Sequence, residues 1–134
     1  MNTDFAFICD YAEATGKINA LGIGFDTIYA AQLPARHAHF SLVLQLRASV
    51  VEVGQKRIQV NLIDEDGQAV VPPVQGQLHV PRAEGASPSV ARFVMEFGNL
   101  EFKRYGFYSV RVVIEGLEVA SIPFRVAAPP ARST

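Results

Sequence analysis

Apolar and polar residues alternate along most of this chain, and the clearest alternation runs from Tyr105 to Val126. Tyr108, Val110, Val112 and Ile114 hold one set of alternate positions, with Ser109, Arg111 and Glu115 on the other. Beyond Gly116, Ala120, Ile122, Phe124 and Val126 repeat the pattern against Ser121, Pro123 and Arg125. Successive strand side chains point to opposite faces, so each run predicts a strand with one buried side. Gly116 supplies the positive φ that a hairpin reversal needs. For both apolar sets to face one core, parity predicts a bulged loop of odd length rather than a two-residue turn.

The same reading extends along the chain. Phe5, Phe7, Cys9 and Tyr11 alternate in a first strand, Thr15-Gly16-Lys17 marks a turn, and Ile18 to Leu21 starts the return. Gly22 and Gly24 interrupt that return, the pattern of a bulge or a close backbone approach. Phe25 to Tyr29 continues extended until Leu33-Pro34 breaks it. Three one-sided runs follow, carried by Phe40 to Leu46, Ile58 to Leu62 and Ala91 to Phe97. Asp64-Glu65-Asp66-Gly67 predicts a turn, and Pro72-Pro73, unable to donate to a ladder, places its segment at a sheet edge or in an irregular crossing. Pro81 to Ser89 reads as a mobile loop and residues 128–134 as a flexible tail. Tyr11 to Thr15, the only helical candidate, is too short to hold.

Turn signals separating about eight short strands predict an all-β fold, an antiparallel β-sandwich of immunoglobulin-like or related topology. Patterning alone is equally compatible with a closed barrel. Residues 1–127 read as a single domain. Tyr108 follows Gly106-Phe107 at the start of a late strand, where a tyrosine corner would bond its hydroxyl to upstream backbone. A half-buried strand aromatic is the plainer alternative.

Composition narrows the function classes. With 49% hydrophobic and 19% charged residues the chain can bury a core. A net charge of -1 and no cationic run longer than Lys56-Arg57 give no electrostatic reason for nucleic acid or an anionic membrane. Cys9 stands alone and makes no internal disulfide. The start, MNTDFAFICD, lacks the basic and apolar regions of a secretory signal, so a soluble cytoplasmic protein is expected.

One resemblance covers most of the chain. Cys9-Asp10-Tyr11-Ala12, Gly16-Lys17, Gly22-Ile23-Gly24-Phe25-Asp26-Thr27-Ile28 and Pro34-Ala35-Arg36-His37 come in this order. The series resembles a family of small single-domain bacterial proteins of unknown function. Asp64 to Gly67 and the Gly106-Phe107-Tyr108 hairpin are similar to that family's second half. The resemblance implies a one-domain β-sandwich and brings no activity with it.

Candidate chemistry is sparse. His37-Ala38-His39 in an extended chain would put both imidazoles on one face, a Zn²⁺ or Cu²⁺ spacing that needs a third ligand. Asp10, Asp26, His79 and Cys9 are available for it, and a loop-ordering His37 beside a solvent-facing His39 explains the pattern without metal. Asp64-x-Asp66-Gly67 lacks the later ligands of a calcium loop and reads as a turn. The G-x-G of residues 22–24 has no strand–turn–helix frame for a nucleotide. Cys9, set among phenylalanines, reads as a buried small apolar residue. Tyr11, Tyr29, Tyr105 and Phe107 are candidate exposed aromatics for a carbohydrate or peptide. Val43, Ile63, Val94 and Val113 fall at outward positions and predict an interface for a homo-oligomer. The expectation is a non-enzymatic module without cofactor that binds protein or serves a structural role. The alternative is a metal- or small-ligand-binding protein using His37 and His39.

Overall fold

In the computed structural model, which describes residues 1–85 and 88–130, the chain is all-β. The strands are β1 (Asn2–Cys9), β2 (Tyr11–Ala14), β3 (Ile18–Leu21), β4 (Thr27–Tyr29), β5 (Ala35–Ala48), β6 (Gly54–Asp64), β7 (Val74–Val80), β8 (Ser89–Phe102), β9 (Gly106–Ile114) and β10 (Leu117–Ala127). A single 3-10 turn, Val50–Glu52, is the only helical piece among the described residues. The centre of the loop expected at Pro81 to Ser89 and the last residues of the expected tail lie outside the described residues.

Two sheets face one another. One has the order β1-β5-β8 and the other β4-β10-β9-β6-β7. Phe40, Leu42, Leu44 and Leu46 of β5 meet Val60, Leu62, Val110, Val112 and Phe124 of the larger sheet in one buried cluster. No ladder joins the two sheets among the described residues, so the molecule is an open sandwich and not a closed barrel. Pairing is antiparallel except where β4 runs parallel to β10. The segment after Pro72-Pro73 is β7, an edge strand as expected.

The ten strands exceed the expected eight because each of the first two runs is divided, one at Asp10 and the other at the glycine segment. The chain bends at Asp10, and β2 and β3 form a separate hairpin. That hairpin lies over the outer face of the three-stranded sheet, where Cys9, Ala12 and Val43 form a second buried cluster. Small side chains at Ala12 and Ala20 let the hairpin settle closely, with Phe7, Ile18 and Val94 around them. Gly24 N–H donates to the Ile8 carbonyl (3.1 Å) and Asp10 N–H to Leu21 (3.0 Å), tying the glycine segment back onto β1. Gly22, at φ 68°, packs directly on the Asp10 carboxylate, the close approach that its glycine predicts.

The β9–β10 hairpin differs from expectation in one instructive way. Ile114 pairs with Leu117, so the loop is the two-residue turn Glu115-Gly116, with φ of 49° and 82°. Both residues are left-handed, the combination that matches strand twist. The parity offset sits instead within β10, where the register shifts between Glu118 and Ala120 and Val119 is the extra residue. A bulge flips the following side chains just as an odd loop would.

Tyr108 is a tyrosine corner. Its buried hydroxyl donates to the Arg104 carbonyl at 2.7 Å. The ring packs edge-on to Phe102 and stacks on Phe124.

Candidate functional site

The two histidines share a strand but not a surroundings. Ala35 and Phe40 of β5 are both buried in the main core although they differ in parity, as are Phe97 and Leu100 of the paired β8. The face alternation is therefore interrupted between them, where Asn99 has a φ of 52°. His37 follows Ala35 and turns inward, its ring 6.1 Å from Phe25 and 6.0 Å from Phe40. His39 turns outward. One ring nitrogen lies 2.8 Å from the Asp10 carbonyl, the other 3.7 Å from Glu96, and Tyr11 packs beside it. The expected single face for both imidazoles is thus broken by the switch. Among the described residues, no three His, Cys, Asp or Glu side chains converge as a metal site would require. Burial holds the His37 imidazole below its ordinary pKa, and its Nε2 is buried without a hydrogen-bond partner.

The remaining candidates separate cleanly. Cys9 is fully buried, its thiol pushed up by burial. At the Asp64 turn, one Asp64 oxygen accepts from the Asp66 and Gln68 N–H groups, while Arg104 bonds both Asp64 (2.8 Å) and Asp66 (3.2 Å). A guanidinium therefore joins the carboxylates that a calcium ion would have needed. The four outward residues do not make one patch. Val43 has 0% exposure beneath the β2–β3 hairpin, and Val94, its cross-strand partner, is half-buried there. Ile63 and Val113 lie on the opposite sheet, with the polar pair Asn61 and Arg111 between them. The physical reason is that the β2–β3 hairpin covers Val43 and Val94, while Ile63 and Val113 belong to the other sheet.

Two exposed features do assemble. The first is an apolar groove of about 800 Å³ between β1 and β3, lined by Phe5, Phe7, Tyr11, Ile18, Leu21 and Ile23, with Glu13 as its only charged residue. Leu21 and Ile23 are 70% and 61% exposed. Both flanking strands are edges: among the described residues β1 pairs only with β5, and β3 only with β2. Apolar side chains therefore stand beside backbone that has pairing capacity left. Sequence reading missed this groove, although Leu21 and Ile23 were a visible signal beside the glycines.

The second is a corner of the larger sheet where Tyr29 of β4 and Phe107 of β9 flank Arg125 of β10. It brings together two of the four aromatics picked out from the sequence, and the Tyr105 hydroxyl donates to the Ala30 carbonyl beside it at 2.8 Å. Tyr11 belongs to the groove instead.

A family model matches residues 4–127, nearly the whole chain. The chain belongs to DUF6941, a family of unknown function. The resemblance read from the sequence and this membership agree on a small family without an assigned activity. Comparison of this DUF6941 chain with curated proteins finds no match. No helix among its described residues is long and apolar enough to cross a membrane.

Proposed function

We propose that this chain is a non-enzymatic interaction module, and that its groove between β1 and β3 receives an extended segment of another protein. The observation that carries the reading is the uncovered apolar groove set between two edge strands. Strand addition supplies main-chain hydrogen bonds from the edge and pockets for alternate side chains. Area argues for a segment rather than a second copy of the chain. Phe5, Tyr11, Leu21 and Ile23 are exposed by 37% to 70%. They therefore offer at most on the order of 500 Å². A stable dimer hides roughly 800 Å² on each partner. Glu13, the one charge in the lining, favours a segment that alternates apolar residues with a basic one.

A library of extended peptides displayed on phage tests this. Selection of alternating apolar-basic sequences, lost in Leu21→Glu and Ile23→Glu, is the expected result. Selection of nothing, or binding indifferent to both variants, removes the reading. A dimer mass in light scattering that Leu21→Glu reduces to a monomer would show that a second copy occupies the groove instead.

A further inference from the structure

We infer that the corner formed by Tyr29, Phe107 and Arg125 is a binding site for a neutral oligosaccharide. Three adjacent strands build it. Thr27 and Arg125 are cross-strand partners, and Arg125 in turn faces Phe107. Cross-strand partners share a face, so all three point outward, and Tyr29, two residues from Thr27, joins them. Ile28 and Tyr108, the intervening residues, are in the core. Phe107 is 61% and Tyr29 55% exposed, two large rings held in water by rigid sheet.

Two large aromatic rings on one outer face of a rigid sheet present flat apolar surface that a ligand can cover. The carbon-bound hydrogens on one face of a sugar ring are weakly positive and pack on the negative face of an aromatic ring. The polar groups beside the rings complete the match. Thr27 donates to Asp26 (3.0 Å) and accepts from Arg125 Nε (3.3 Å), and among the described residues those are the side-chain hydrogen bonds each charged group makes. The terminal guanidinium nitrogens and a carboxylate oxygen are thus left for a ligand. One donates and the other accepts, which suits hydroxyl groups that do both. A single cation beside an unpaired carboxylate gives an anionic ligand such as nucleic acid little to bind.

Spacing sets the length of ligand. β4 and β9 flank β10, and Tyr29 pairs with Ala127 whereas Phe107 pairs with Arg125, so two strand separations and two residues of rise set the rings on a diagonal of roughly 11–12 Å. One sugar ring is shorter than that span, and two linked rings cover it. The site, with about 470 Å³ of open space, takes a chain of sugars lying across the sheet.

The test uses the full chain and three soluble hexasaccharides, of β-1,4-linked glucose, β-1,4-linked N-acetylglucosamine and α-1,4-linked glucose. Amide chemical shifts of the ¹⁵N-labelled protein are followed during titration. The expected result is saturable binding of at least one, with shifts centred on Tyr29, Phe107 and Arg125. Phe107→Ala and Tyr29→Ala should each weaken it by about ten-fold, equivalent to ~1.4 kcal/mol. Tyr29→Phe keeps the ring and should retain binding, as should Leu21→Glu in the distant groove. Absence of saturable binding at millimolar sugar overturns the assignment. So does binding that Phe107→Ala and Tyr29→Ala leave unchanged while both variants melt like the parent.

Discussion

Individual side chains in this protein are decided by whether burial leaves them a partner. Tyr108 has one, the Arg104 carbonyl, and the bond is short and largely dry. Tyr108→Phe strands that carbonyl and should cost about 1–3 kcal/mol in urea melts. Tyr105→Phe loses an equally short bond to Ala30, but an exposed one that water replaces, so its cost should be clearly smaller. Equal effects in the two variants would deny the corner its structural role. Among the described residues His37 has no partner at its buried Nε2, and burial is the main reason its pKa lies below 6.5, opposed by a hydrogen bond to the His39 backbone and by the Asp10 charge. The unfolded chain therefore takes up a proton first as pH falls through 6.5, and stability declines from there down to the folded-state pKa. Glu52, Asp64 and Glu115 are held below their ordinary values by backbone hydrogen bonds, so their contribution is present above those values and lost only at more acid pH. Denaturation followed from neutral pH to the carboxylate range should show a slope that His37→Gln flattens and that leaves the acid limb intact.

At the scale of elements, the bulge at Val119 is the correction to an odd loop, and it makes a sharp prediction. Glu118 pairs with Val113 and Ala120 with Val112, so deleting Val119 leaves both pairs and both faces in place. The deletion should fold cooperatively, weakened by the lost Thr3 contact to its carbonyl and by its partial packing. Deleting Ile122 instead would move Ala120 off the core face and should unfold the domain or leave it molten by circular dichroism and dye binding. Comparable outcomes for the two deletions would contradict the register. Much of this level was legible in the chain itself. Period-two runs such as Phe40 to Leu46 and Val110 to Ile114 declare a buried face because nothing else alternates so regularly. The bulge position was not, since Val119 carries no side-chain mark of the residue that is left unpaired. Nor was the cover over Val43, although Phe7, Cys9, Val43 and Val94 together are more apolar than a wet face requires. The aromatic corner was legible as residue types only. Its assembly depends on the parallel pairing of β4 with β10, which no local pattern encodes.

For the whole molecule, the sandwich is covered unevenly. The three-stranded sheet has a core on one side and the β2–β3 hairpin on the other, whereas the larger sheet shows its outer face to water. Replacing residues 11–21 by a short glycine-serine link should therefore expose Val43 and Cys9 without opening the main core. The expected signature is a native-like far-ultraviolet spectrum, a lower melting temperature and a Cys9 that now reacts with a thiol reagent. A thiol still protected in that variant would mean that the hairpin is not the cover.

The parallel seam between β4 and β10 also orders events in time. Thr27 and Arg125 are 98 positions apart in the chain, yet their strands share a ladder. During synthesis β1, β5 and β8 can pair once residue 102 has emerged, while β9 and β10, which cover them, are still to come. Phe40, Leu42 and Leu44 must wait with their apolar side in water or in the hands of a chaperone. A sheet whose closing strand arrives last folds slowly, because distant loop closure precedes its reward. Nascent chains halted with residue 105 just emerged should thus hold chaperone, and those with residue 127 emerged should release it.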